Sequence, residues 1–269
     1  MAFIILMICI GFQHFFPSFA FSRENHWLYA YYSSFFEKFP KILDSSSWLI
    51  LLVLILPVIF IFLLFYFILI HAFGWIAEFL LSLILVWFSI DARDLKKSIS
   101  GITESSVLFV EVYEHLFAII FWFLIFFYLQ MTPIFLVYPM LIALRHYMQA
   151  VSKTSSSNSS ASSQYGLLIW SQYLIGILDW IPIRLLGLSF ALVGKFTAVF
   201  NPWCRELTSG IKTDQILIAE WGIAALEEKQ SYVFEAAIRL IDRALVLWLI
   251  VIAIYTISFL LGIIKVTAS

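Results

Sequence analysis

The sequence predicts an all-α, polytopic integral membrane protein with about four to six membrane segments and a polar cytoplasmic portion. Three observations carry that prediction. Of 269 residues, 63% are A, V, I, L, M, F, W, Y or C and only 12% are charged, whereas a soluble domain is about 45–50% apolar and about 25% charged. Mean hydropathy is +0.99, more apolar material than one soluble core of this size can bury. The charges are also clustered, leaving long uncharged gaps, and a charge at mid-bilayer is costly. The same composition excludes a disordered chain. With Lys+Arg at 16, Asp+Glu at 17 and a net charge of −1, no basic excess points to nucleic acid.

A crossing helix needs about 20 largely uncharged residues, so the gaps mark the spans. Residues 1–22 contain no Asp, Glu, Lys or Arg. His14 and Pro17 bring that helix to an early end, giving a short N-terminal anchor. The first cation is Arg23, so the basic start of a secretory signal is missing and the anchor reads as retained. Trp48 to Ile90 spans 43 residues interrupted only by Glu78. As one helix it would be about 65 Å long, twice the hydrocarbon thickness. It is expected to fold back at His71-Ala72-Phe73-Gly74 into a hairpin over 48–90, with helices near Trp48–Ile70 and Trp75–Ile90.

Asp91 to Glu114 reads as an exposed helix and turn broken at Gly101. Residues 115–144 form a thirty-residue gap interrupted by Thr132-Pro133 and Pro139, which predicts a broken or re-entrant segment. Residues 152–163 are a Ser-rich linker with no secondary structure assigned. Residues 179–194 form a helix that Asp179 caps and Pro182 opens. Glu235 and Arg239 stand in the favourable i,i+4 order, and 244–264 is the C-terminal span. The whole chain, 1–269, reads as one membrane domain. Cytoplasmic loops are rich in Lys and Arg. Arg23, Lys38 and Lys41 before the hairpin, and Arg93, Lys96 and Lys97 after it, therefore share the cytoplasmic side. Arg145, Lys153 and the cations from Arg184 to Arg243 join them if the crossings are even in number, which puts the N-terminus outside.

Two groups of polar residues stand out. Glu111, Glu114 and His115 share a helix face at i, i+3 and i+4. They read either as the polar end of a helix at the membrane surface or as carboxylates and an imidazole that bind a ligand or move a proton. Asp179 and Arg184 flank Pro182 and read either as a helix cap with a snorkelling arginine or as an anion site at a helix N-terminus. His71 and Glu78 read as turn residues. Cys9 and Cys204 have no metal-ligand spacing. A phosphate loop, G-x-S-x-G and H-E-x-x-H are all missing. No metal and no cofactor is expected, and the lipid bilayer is the expected surrounding.

The string Leu178-Asp179-Trp180-Ile181-Pro182-Ile183-Arg184-Leu185, followed by Ala191-Leu192-Val193-Gly194, resembles the Leu-Asp-Trp-(Val/Ile/Leu)-Pro-x-Arg-Leu signature of the AmpE family. These are inner-membrane proteins linked to β-lactamase induction in Gram-negative bacteria. The stretches from His115 to Leu124 and from Ala236 to Trp248 resemble the same family, in order, over residues 75–265. The family is related in turn to the CobD/CbiB enzymes of the cobalamin pathway, which join aminopropanol or its phosphate to a corrinoid carboxylate using ATP. Where those synthases carry Glu-x-x-x-Glu-Asn, this chain has Glu111-Val112-Tyr113-Glu114-His115. Their Gly-Arg-Asp-Thr is matched only by Arg93-Asp94.

The resemblance implies a multi-pass inner-membrane modulator or sensor of cell-wall stress and β-lactamase induction. It implies a cell-wall-recycling amidase as a candidate partner and a polar ligand site built from Asp179, Arg184, Glu111, Glu114 and His115. The alternatives are a CobD/CbiB-like amide synthase and a small transporter or scaffold.

Overall fold

The computed structural model describes residues 1–15, 26–39, 47–90, 105–154, 161–207, 214–226 and 233–260. Among them are helices and no strand. In chain order they are α1 (Ala2–Phe15), α2 (His26–Lys38), α3 (Ser47–Phe73), α4 (Trp75–Ser89) and α5 (Ser105–Val112). A π-helical turn, Tyr113–Phe117, carries α5 into α6 (Ala118–Tyr128). A 3₁₀ turn, Thr132–Leu136, opens α7 (Val137–Thr154). The rest are α8 (Ala161–Val193), α9 (Phe196–Glu206), α10 (Asp214–Ala225) and α11 (Val233–Leu260). Among the described residues, five segments are long and apolar enough to cross a bilayer: Trp48–Phe73, Ser105–Tyr128, Thr132–Val151, Gly166–Val193 and Phe234–Ser258. The protein is therefore an all-α polytopic membrane protein.

Burial separates the spans into two kinds. Only 17% of the α3 window and 22% of the α11 window are buried, against 56–61% for the α5–α6, α7 and α8 spans. Side chains such as Phe60, Ile61 and Phe67 stay exposed on α3. In water such a face would aggregate, but acyl chains solvate it. So α3 and α11 line the lipid side, and α5 to α8 build the interior.

The break between α3 and α4 is one residue, Gly74, at φ 60° and ψ −140°. A side chain there would be strained, which is why the helix stops after Phe73. α10 is a short apolar helix packed against α5 and α8. Gly222 lets the Phe109 ring lie close, because a β-carbon at that position would fall 2.6 Å from it. Phe109 then meets Phe190 of α8 edge-on, with ring centroids 5.4 Å apart. α2 is tied down by tyrosines: Tyr31 donates to the Leu54 carbonyl and Tyr32 to the Met140 carbonyl, both at 2.8 Å.

Residues 115–144 are broken next to Thr132-Pro133. The two halves belong to successive helical segments, each long and apolar enough to cross, joined by a short turn at Leu129–Met131, where Gln130 has φ 56°. Thr132-Pro133 starts the 3₁₀ turn, where a missing N–H costs little, and Pro139 falls in the first turn of α7. The polar stretch ending at Glu114 is not wholly exposed, because Ser105–Glu114 belongs to a span and Glu114 is buried. And α8 does not begin near Pro182. It starts at Ala161 and runs through Pro182. A proline inside a helix removes a single backbone hydrogen bond, and membrane helices tolerate it where neighbours make up for the loss.

The linker narrows as well, since Thr154 and Ala161 are helical. Arg23, Lys41, Asp91, Arg93, Lys96, Lys97, Gly101, Lys212, Lys265 and linker residues 155–160 lie outside the described residues.

If Ser105–Tyr128 and Thr132–Val151 each cross the bilayer, their outer ends, Ser105 and Val151, fall on one side of it. Ser98→Cys and Ser157→Cys are expected to resist a membrane-impermeant thiol reagent in intact cells and to react after permeabilisation. Labelling of either one from outside contradicts this arrangement. Gly222→Val is expected to cost about 1–3 kcal/mol by overpacking against Phe109, read as a lower melting temperature in detergent.

Candidate functional site

The interior spans bring their polar side chains to one place. The π turn is the local cause. Its closing hydrogen bond runs from the Ala118 N–H to the Tyr113 carbonyl, five residues back. The extra residue widens the turn and shifts the helical register beyond it, and within the turn Tyr113, Glu114, Leu116 and Phe117 are all buried. Single π turns inside α-helices are frequent at functional sites.

Glu114 points across to α7. Its Oε2 accepts from Arg145 Nη2 at 2.5 Å and lies 3.7 Å from His146 Nε2. Arg145 Nη2 is also 3.4 Å from that imidazole nitrogen. His115 stacks on His146 with ring centroids 6.3 Å apart. The glutamate and arginine side chains are 3% and 7% exposed, so the pair is withdrawn from water within two adjacent spans.

Beside it, the Tyr113 hydroxyl donates to Asp179 Oδ1 of α8 at 2.6 Å. Tyr138 of α7 stands next to the same carboxyl group. Asp179 Oδ2, the Tyr138 hydroxyl and Arg145 Nε are buried without a hydrogen-bond partner of good geometry among the described residues. Buried polar atoms left this way are uncommon and mark places where a proton, a water or a ligand group is accepted.

Donor atoms of Glu114, His115 and His146 lie within 4.8 Å of one another, a spacing that a metal ion could share. The Arg145 guanidinium, however, contacts both Glu114 and His146. It already supplies the positive charge a metal would bring and repels a second cation, so this donor set does not fit a metal.

The sequence-predicted residues therefore divide. Glu114, His115 and Asp179 meet in the interior. Glu111 is half-buried and forms no hydrogen bond or ion pair among the described residues. Arg184 is buried as well, but away from the other residues of the implied site. Its guanidinium stacks over Trp180 at 4.4 Å. It donates to the carbonyls of Trp180 at 2.8 Å and of Leu207 and Glu206 at 3.3 Å. The last two close the C-terminus of α9, where carbonyls lack helical partners and a cation is favoured. Trp203 Nε1 returns a hydrogen bond to the Arg184 carbonyl at 2.8 Å. Asp179 is not a cap, because it lies inside α8. The cation near it is Arg145.

Arg145, His146, Tyr113 and Tyr138 are members of the candidate site that local sequence pattern does not single out. One signal was available: Glu114 and Arg145 bound the thirty-residue uncharged gap, and they close on each other.

A buried polar cluster held by three membrane spans is the mark of an integral membrane protein with an intramembrane site, not a bare anchor. The family described as regulatory signalling modulator protein AmpE matches residues 96–261, more than half of the chain and all of this cluster. The chain belongs to that family. No curated protein and no solved structure matches it.

Removing one partner of a buried ion pair strands the other, at about 3–5 kcal/mol. Arg145→Leu alone is expected to lower the melting temperature and membrane abundance, and Glu114→Leu/Arg145→Leu to recover most of both. An additive double variant would show that the two side chains act independently. Arg184→Lys is expected to destabilise the protein in detergent, since an ammonium cannot stack on Trp180 and reach the same set of carbonyls.

Proposed function

We propose that this protein is a multi-pass modulator of the bacterial inner membrane that links cell-wall stress to β-lactamase induction. In this reading the cluster of Tyr113, Glu114, Tyr138, Arg145, His146 and Asp179 is its responsive element. The observation that carries it is the match to the regulatory modulator family over 96–261, a region that contains every one of these residues. The chemistry of the cluster supports it. Hydroxyl, carboxyl and guanidinium groups from the π turn, α7 and α8 converge where little water reaches, with the partly exposed His146 imidazole at their edge. Gain or loss of one proton, or of one ligand group, changes the hydrogen bonding among three spans at once. A change of that kind moves helices against each other, which a partner at the membrane surface can read. A cell-wall-recycling amidase is the partner class this reading favours.

The test uses a Gram-negative strain with inducible β-lactamase and its own copy of this gene deleted. Deletion is expected to alter β-lactamase activity after exposure to an inducing β-lactam, and the wild-type chain to restore it. Asp179→Asn and Tyr113→Phe, at normal membrane levels, are expected to restore it poorly. Induction that is identical with and without the gene overturns the reading. Rescue of a cobalamin auxotroph lacking the amide synthase would replace it with the synthase function, and no rescue is expected.

A further inference from the structure

A second polar site lies apart from the intramembrane cluster. The ends of α8, α10 and α11 enclose a cavity of about 320 Å³. Lys195, Arg239 and Arg243 line it together with Gly194 and Ala225, and no described lining residue is acidic. Its wall is built tightly. The Gly194 N–H bonds the Phe190 carbonyl at 2.9 Å, and the Lys195 N–H bonds the Ala225 carbonyl at 3.2 Å. A β-carbon on Gly194 would come 2.8 Å from that same Ala225 oxygen, so only glycine lets the end of α8 close against α10.

Basic residues are common where a helix enters a membrane, but here three of them line one cavity. Arg239 and Arg243 stand at i,i+4, where like charges repel. Lys195 faces them from the end of α8. Glu235, one turn earlier on α11, lies 3.7 Å from Arg239 and offsets one of the three charges. The position is equally informative. The α8 span ends at Val193 and the uncharged run of α11 begins only after Arg243, so the cavity sits at a membrane boundary. Arg239 and Arg243 are both exposed there. Guanidinium groups match pairs of phosphate oxygens, and basic pockets between membrane helices hold anionic headgroups.

We propose that Lys195, Arg239 and Arg243 bind a phosphate group, borne by an anionic lipid headgroup or by a soluble phosphate compound. The site uses none of the residues of the intramembrane cluster and does not depend on the signalling function proposed above.

The full chain would be purified and studied in two ways. Native mass spectrometry would count phosphatidylglycerol retained from nanodiscs of phosphatidylcholine and phosphatidylglycerol. Thermal melting in phosphatidylcholine nanodiscs would be followed against inorganic phosphate. Retained phosphatidylglycerol without a response to phosphate assigns the site to lipid. A phosphate-dependent rise in melting temperature assigns it to a soluble phosphate group. In either case Arg239→Gln/Arg243→Gln is expected to weaken binding about tenfold or more, the loss of a charge-assisted contact. Lys195→Gln, a milder change, is expected to weaken it in the same direction. Binding by neither probe, or equal binding by wild type and both variants, overturns the proposal.

Discussion

The contact between Glu114 and Arg145 is the constraint around which the interior is arranged. Both side chains are almost fully buried, in neighbouring membrane spans. Either charge alone in hydrocarbon would be costly, whereas together they replace water for each other. The thirty uncharged residues between them form the rest of two helices and the turn at Leu129–Met131. The hairpin is therefore pinned at its open end by charge and filled elsewhere by apolar packing, such as Phe123 on Phe135 with centroids 5.9 Å apart. Tyr113, adjacent to Glu114, then reaches Asp179 and ties α8 to the same point.

Much of the architecture was legible because hydrocarbon tolerates few charges. The lipid-facing α3, the stop at Gly74 and the last span followed from uncharged length and one glycine. The same reasoning was less informative in the interior. It bounded the third segment by its flanking charges, beginning after Glu114 and ending before Arg145. A charge with a buried partner breaks that rule, and the partner is 31 positions away, beyond the range of local pattern. Asp179-Trp180-Ile181-Pro182 carries the local features of a helix start, yet tertiary packing runs α8 straight through it. Nothing in the linear sequence says that Arg184 will bond carbonyls more than twenty residues downstream.

Arg184 and Asp179 show how one short motif serves two tasks. They are five residues apart on a continuous helix, which turns them to different faces. One face sends Asp179 to the tyrosines of the π turn and α7. The other sends Arg184 and Trp180 to the end of α9, where stacking and carbonyl contacts fix how the chain leaves α8. A loss at either position disturbs the interior and the surface by separate routes, so similar phenotypes would have different physical origins.

The π turn at Tyr113–Phe117 has a consequence for how this segment tolerates changes in length. Elsewhere in a helix, deleting one residue rotates everything beyond it by about 100° and removes packed side chains from their sockets. Here the helix already holds one residue more than an α-helical path needs. Deleting a residue within the turn would let it relax to ordinary α-helix while α6 keeps its orientation toward α7 and α11. The segment thus carries a reserve residue, and it has been placed where the protein most needs a tyrosine and a glutamate to look inward.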